Sequence, residues 1–141
     1  MVAVLWLASG MTAGATEAWD LASGAGETSI RAQVARAFAE AVEGATGGEI
    51  AITVHSAGSK LRGSDILRAV ERGELALGER PVASLADDDP VFAVHTVRFL
   101  GGDFGAARRL DQASRSAIAS YLKSRGLRLL YTVPVMPIGL Y

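Results

Sequence analysis

The stretch Glu49-Ile50-Ala51-Ile52-Thr53-Val54-His55-Ser56-Ala57-Gly58-Ser59, followed by Gly63-Ser64-Asp65-Ile66-Leu67-Arg68-Ala69-Val70 and then Gly73-Glu74-Leu75-Ala76-Leu77-Gly78-Glu79, decides the fold. It reads as strand, glycine-serine loop, short helix and strand. Residues 50–54 are apolar at nearly every position, which is expected of a parallel strand covered by helices on both faces, so this strand is placed in the interior. The helix is predicted over residues 63–72 with Ile66, Leu67 and Val70 inward, and Gly73 ends it before a strand at Leu75-Ala76-Leu77.

Upstream, Trp19-Asp20-Leu21-Ala22 is a short strand candidate that ends in the turn Ser23-Gly24-Ala25-Gly26. A helix follows, capped by Thr28 or Ser29. Ile30, Val34, Phe38 and Val42 recur at four-residue spacing with Ala37 and Ala41 beside them, a stripe expected to face a sheet, with Arg31, Glu40 and Glu43 turned to water. Thr46-Gly47-Gly48 stops this helix. Downstream, Arg80-Pro81 breaks the third strand, and Asp87-Asp88-Asp89-Pro90 forms a turn cluster. A long helix is predicted from a cap at Asp103 to about Ser124, with Ala107, Leu110, Ser114, Ile118, Tyr121 and Leu122 inward. Residues 127–133 read as a fourth strand, which Pro134 and Pro137 end. Alternating strands and helices with short connections imply right-handed crossovers and an α/β fold: three layers, a mostly parallel sheet with helices on both faces.

With 141 residues, half of them hydrophobic, the chain can bury one core of ordinary size. Net charge is -1 and the 14 basic residues are scattered, so there is no electrostatic footprint for nucleic acid or an anionic membrane. The absence of cysteine excludes disulfides, thiolate metal sites and a cysteine nucleophile. Met1-Val2-Ala3-Val4-Leu5-Trp6-Leu7-Ala8 opens an apolar run too short to span a bilayer, and Ala13-Gly14-Ala15 supplies small residues that suit a signal peptidase. Residues 1–15 therefore read as a cleaved secretory signal, with the mature domain at residues 16–141. No Lys or Arg precedes the apolar segment; either the true start lies upstream, or the segment is a core strand.

Several chemical motifs fail on inspection. Gly24-Ala25-Gly26 lies between strand and helix, but the third glycine of a dinucleotide fingerprint would fall at Ser29, and no Gly-Lys-Ser/Thr follows. His55 and His95 have no serine or carboxylate at a spacing that makes a catalytic pair or metal site; structural hydrogen bonding and packing are their default roles. Asp87, Asp88 and Asp89 lack the alternating ligands and the glycine of a calcium loop, and read as a solvated turn. No cofactor is indicated, and no enzymatic activity. Glu79-Arg80 stands out because open α/β sheets bind ligands at the carboxyl ends of their strands. A charged pair there is either used by a ligand or engaged in a salt bridge, with each other or with a neighbour.

From about Trp19 to the end, the chain resembles the first domain of the substrate-binding proteins of TRAP transporters, the DctP-type periplasmic solute receptors. The resemblance is carried by Phe38-Ala39-Glu40-Ala41-Val42-Glu43-Gly44-Ala45-Thr46-Gly47-Gly48, by the strand and loop over residues 50–59, and by Gly73-Glu74-Leu75-Ala76-Leu77-Gly78-Glu79. Asp89-Pro90-Val91-Phe92-Ala93-Val94, Arg98-Phe99-Leu100 and Leu129-Leu130-Tyr131 continue it. It implies a non-enzymatic, periplasmic receptor that captures a small organic acid and delivers it to the TRAP permease membrane subunits, with no nucleic acid partner and no membrane insertion after signal cleavage. It places ligand contacts at Ser23, Gly24 and Thr28, at Ser64, and at Glu79 and Arg80, with Pro137-Ile138-Gly139-Leu140-Tyr141 approaching the cleft. An arginine of the second domain would clamp the ligand carboxylate. The chain stops where the family crosses into that domain, so the alternative expectation is a truncated receptor without useful affinity. Arg98 in place of proline, and Lys60-Leu61-Arg62 in place of an apolar loop, depart from the family pattern.

Overall fold

The computed structural model describes residues 16–97 and 103–134. The expected leader over residues 1–15, the Arg98-Phe99-Leu100 phrase and the segment from Pro137 to Tyr141 lie outside the described residues, as does the side chain of His95. In chain order the elements are β1 (Glu17–Ser23), α1 (Ile30–Ala45), β2 (Ile50–His55), α2 (Ser64–Glu71), β3 (Leu77–Glu79), two 3₁₀ segments (Val82–Leu85 and Pro90–Thr96) and α3 (Phe104–Ser124).

The sheet has the order β2-β1-β3, and every pairing is parallel. β1 pairs with β2 from Glu17 opposite Ile50 to Ala22 opposite His55, and with β3 from Leu21 opposite Leu77 to Ser23 opposite Glu79. Successive residues of a strand point to opposite faces, and the neighbours Leu21 and Ala22 are both buried, so both faces of β1 are covered. Ala22 packs with Ile66 and Ala69, which puts α2 on its face. Glu79, on the Leu21 and Ser23 face, is held by Arg31 of α1, which puts α1 on the other. The three-layer α/β arrangement is thus present. Its centre is β1; β2, expected in the interior, is an edge strand among the described residues and only half-buried.

The face of α1 that meets the sheet is built of alanine. Ala32, Ala35 and Ala39 are buried, whereas Ile30 is 58% exposed and Ala37 and Ala41 are open to solvent. A series spaced by four residues advances about 40° per step around a helix of 3.6 residues per turn. The expected stripe therefore winds away from the sheet, and its middle, Val34 and Phe38, turns to the segment carrying Tyr131, whose ring lies 5.1 Å from that of Phe38. Small side chains leave α1 close to the strands. Ser29 is its cap, with Oγ accepting from the Ala32 amide.

The third strand starts two residues later than expected, because the amides of Glu74 and Leu75 both donate to the Ala69 carbonyl and close the end of α2. Leu75 is still buried in the core with Ala22, Ile66 and Ala69. A second core joins Leu85 and Phe92 of the 3₁₀ segments to Ile118 of α3, and Leu67 of α2 packs against it. Neighbouring residues of α2 thus serve both cores. Asp103 caps α3 as expected, its Oδ1 accepting from the Ala106 amide at 2.7 Å. Residues 127–133, expected to form a fourth strand, join no ladder. The Arg115 guanidinium donates to the Leu130 carbonyl and to Thr132 Oγ1, so this segment is tied to α3 by side-chain bonds instead.

Candidate functional site

The carboxyl ends of the three strands form one rim, and β1 contributes its most buried polar group there. Ser23 is fully buried, with its Oγ accepting from the Ala25 amide (3.0 Å) and its carbonyl accepting from the Gly58 amide (3.0 Å). The Ala57 amide donates to the Ala25 carbonyl, so the loops after β1 and β2 lie side by side. Ser23 Oγ donates to Glu79 Oε2 at 2.5 Å, and Arg31 Nη1 donates to Glu79 Oε1 at 3.1 Å. One carboxylate at the end of β3 is therefore gripped from β1 and from α1. An ionised carboxylate left unpaired in this half-buried position would be costly, and the two donors offset that cost.

The expected residues divide accordingly. Ser23 and Glu79 are brought together. Arg80, one residue on, does not pair with Glu79; its Nη2 reaches the Ser84 carbonyl at 3.5 Å. Gly24 and Thr28 lie exposed in the turn into α1, the Thr28 carbonyl accepting from Gln33 Nε2. Ser64 opens α2, exposed, at an end with no side-chain cap. None of these four bonds to the Ser23, Arg31 and Glu79 set.

Two members of the site were not singled out from the sequence. Arg31, assigned to water because it lies off the apolar stripe, turns inward as the ion-pair partner of Glu79. Tyr131 sits nearby, where burial pushes its phenol above the ordinary value and the charge of Glu79 adds to the shift. It also lines an open apolar groove of about 560 Å³ between Val34 and Phe38 of α1 and residues 130–134. Ser56, just beyond β2, is buried, and its hydroxyl has no partner among the described residues. Only the end of the β3 phrase carried a readable signal: a charge straight after apolar residues.

On the α2 face, Asp20 joins β1 to β2 and its loop, accepting from Lys60 Nζ and lying 2.6 Å from His55 Nε2. Hydrogen bonding with Lys60 first, and with His55 second, holds the Asp20 carboxyl below the usual carboxylate range. His55 is a hydrogen-bonding residue, in keeping with its default reading. Asp89 caps the second 3₁₀ segment through the Val91 amide, while Asp87 and Asp88 are exposed. Among the described residues no group of three or more side chains is arranged to hold a metal ion, and no helix is long and apolar enough to cross a membrane. The arrangement supplies an oriented acceptor on a rim, which is binding chemistry.

The fold is shared with solved extracytoplasmic solute receptors. DctP6 of Bordetella pertussis, a receptor binding pyroglutamic acid, is 29% identical with a TM-score of 0.80, over 83% of this chain and 39% of that one. DctP7 of the same organism, also binding pyroglutamic acid, is 31% identical with a TM-score of 0.79, over 82% and 38%. A marine metagenome TRAP solute binding protein specific for pyroglutamate is 27% identical with a TM-score of 0.75, over 79% and 36%. The chain thus spans about two fifths of the length of these receptors. No curated protein matches it. Residues 21–134 match the family model of DctP, the bacterial extracellular solute-binding proteins of family 7, and the chain belongs to that family.

Proposed function

We propose that this chain forms one wall of the ligand cleft of a TRAP solute receptor that captures a small organic acid of the pyroglutamate kind outside the cytoplasm and hands it to a membrane permease. The observation that carries the reading is the Ser23, Glu79 and Arg31 set, placed at the carboxyl rim where open α/β sheets take their ligands. It is supported by the three relatives described above, all receptors of pyroglutamate. In this reading the residues act by recognition alone, Arg80 and the loops carrying Gly24, Thr28 and Ser64 line the cleft, and residues 1–15 serve as the export signal.

Calorimetric titration with pyroglutamate, glucuronate and ATP tests the proposal. The titration is run on the chain and on a chimera in which it replaces the matching part of DctP6, so that a missing wall and a missing affinity are told apart. Heat with pyroglutamate and none with ATP is the expected result. A folded chimera that binds no organic acid would overturn the proposal.

A further inference from the structure

We infer that the exposed face of α3, together with its exit at Arg128, is a docking surface for an acidic polypeptide segment that carries one large apolar side chain beside its carboxylates. None of the residues involved belongs to the Ser23, Arg31 and Glu79 set, and the inference does not depend on the receptor reading.

The basic residues are scattered along the sequence, but the fold engages them unequally. Among the described residues, every Lys and Arg outside α3 and its exit pairs with a carboxylate or donates to another protein oxygen. Arg115 and Arg125 do the same. Arg108, Arg109, Lys123 and Arg128 do neither, and all four are exposed. Arg108 lies over the Phe104 ring with its N–H groups unbonded.

These cations share one side of the molecule. At 3.6 residues per turn, Arg108, Arg109 and Lys123 fall within about 100° of arc, with Gln112 and Ser116 exposed between them. Arg109 and Lys123 stand about 21 Å apart along the helix axis. Asp111, the one acid of α3, lies outside that arc and accepts from Thr132 Oγ1. A row of like charges with no counter-ion from its own chain attracts an acidic partner. Three of the four are arginines, whose planar fork matches a carboxylate.

An apolar anchor point lies at the end of this row. An open groove of about 410 Å³ runs between α3 and its exit, walled by Ala119, Leu127 and Leu129, with Lys123 and Arg128 beside it. It admits an apolar side chain while the two cations meet flanking carboxylates. A lipid surface fits less well. Helices that lie on membranes bury an apolar face in the bilayer, whereas the apolar face of α3 is spent on the core through Ile118, Tyr121 and Leu122.

Fluorescence anisotropy of the full chain with a labelled peptide, Glu-Glu-Leu-Glu-Glu-Glu, provides the test. Its all-glutamine counterpart should not bind, and a counterpart with serine in place of leucine should bind about 10-fold more weakly. Lys123→Gln with Arg128→Gln should weaken the acidic peptide about 5-fold or more, at roughly 2- to 5-fold for each exposed pair, and adding Arg108→Gln and Arg109→Gln should weaken it further. Arg68→Gln with Arg72→Gln changes the net charge as much as the first pair does and should leave the affinity unchanged. Far-UV circular dichroism verifies that each variant is folded. A folded chain that does not bind the acidic peptide at low salt, or an affinity untouched by the four substitutions, overturns the inference. Sedimentation with phosphatidylglycerol vesicles in the absence of peptide binding also overturns it, and marks the face as a lipid contact.

Discussion

Ser23 and Glu79, 56 residues apart in sequence, are joined by a 2.5 Å hydrogen bond from the Ser23 hydroxyl to Glu79 Oε2, which ties the end of β1 to the end of β3. β3 is only three residues long and meets β1 at three register positions, so this bond supports a short ladder. Ser23→Ala should destabilise the domain by about 1.5–3 kcal/mol, the range for hydrogen bonds to charged groups. In a double-mutant cycle with Glu79→Gln, the two changes should couple. Urea unfolding measures both quantities, and strict additivity would show that the bond contributes nothing.

Arg80 carries one long hydrogen bond, to the Ser84 carbonyl, so most of its donors are available to a ligand. In the chimera used to test function, Arg80→Ala should weaken carboxylate binding by about 1.5–3 kcal/mol. Calorimetry with pyroglutamate and with its primary amide reads the effect. A loss of the same size for both would place Arg80 away from the carboxylate.

Asp20 carries a depressed pKa because Lys60, and then His55, hydrogen-bond its ionised form. A carboxyl whose folded pKa lies below its unfolded one contributes stability above the unfolded value, and that contribution is lost as pH falls through the folded one. The decline should begin near the ordinary value of 3.8 and continue below it. Asp20→Asn should flatten the melting temperature against pH in that window, and added salt should blunt the difference, since the group is open to solvent. A variant with the wild-type pH profile would refute this.

Gly78 lies opposite Ala22 on the face covered by α2. A Cβ built there would lie 2.6 Å from Ile66 Cγ2 and 3.1 Å from Val70 Cγ2, both on β-branched side chains with few alternative rotamers. Gly78→Ala should therefore cost about 1–3 kcal/mol by overpacking. Thermal melts decide it, and a neutral result would mean that α2 can move outward freely.

Phe92 is completely buried between Leu85 and Ile118 and meets the Tyr121 ring edge-on at 4.8 Å. Phe92→Ala should cost about 3–5 kcal/mol. Because this ring joins the 3₁₀ segments to α3, hydrogen exchange should quicken in α3 before it does in β1. Uniform acceleration across the domain would indicate a single cooperative core.

The capped starts of α1 and α3, the glycine stop after α1, the alternation of helix with strand and the charge at the end of β3 are written in the sequence by itself. Each depends on residues close together: Ser29 with Ala32, Asp103 with Ala106, Gly48 with Glu43. The choice of α1 face, the start of β3 and the fate of residues 127–133 were decided by tertiary structure. A four-residue apolar spacing cannot say which side of a helix meets a sheet when an alanine face competes with it. An apolar run cannot say whether a ladder partner awaits it. The site follows the same division: Glu79 was legible as a charge at a strand end, but Arg31 looked like one more solvated cation until the parallel order β2-β1-β3 carried α1 over the sheet and brought residues 48 apart into contact. Charge pairing across that distance is set by which strands neighbour one another, and no local pattern encodes that choice.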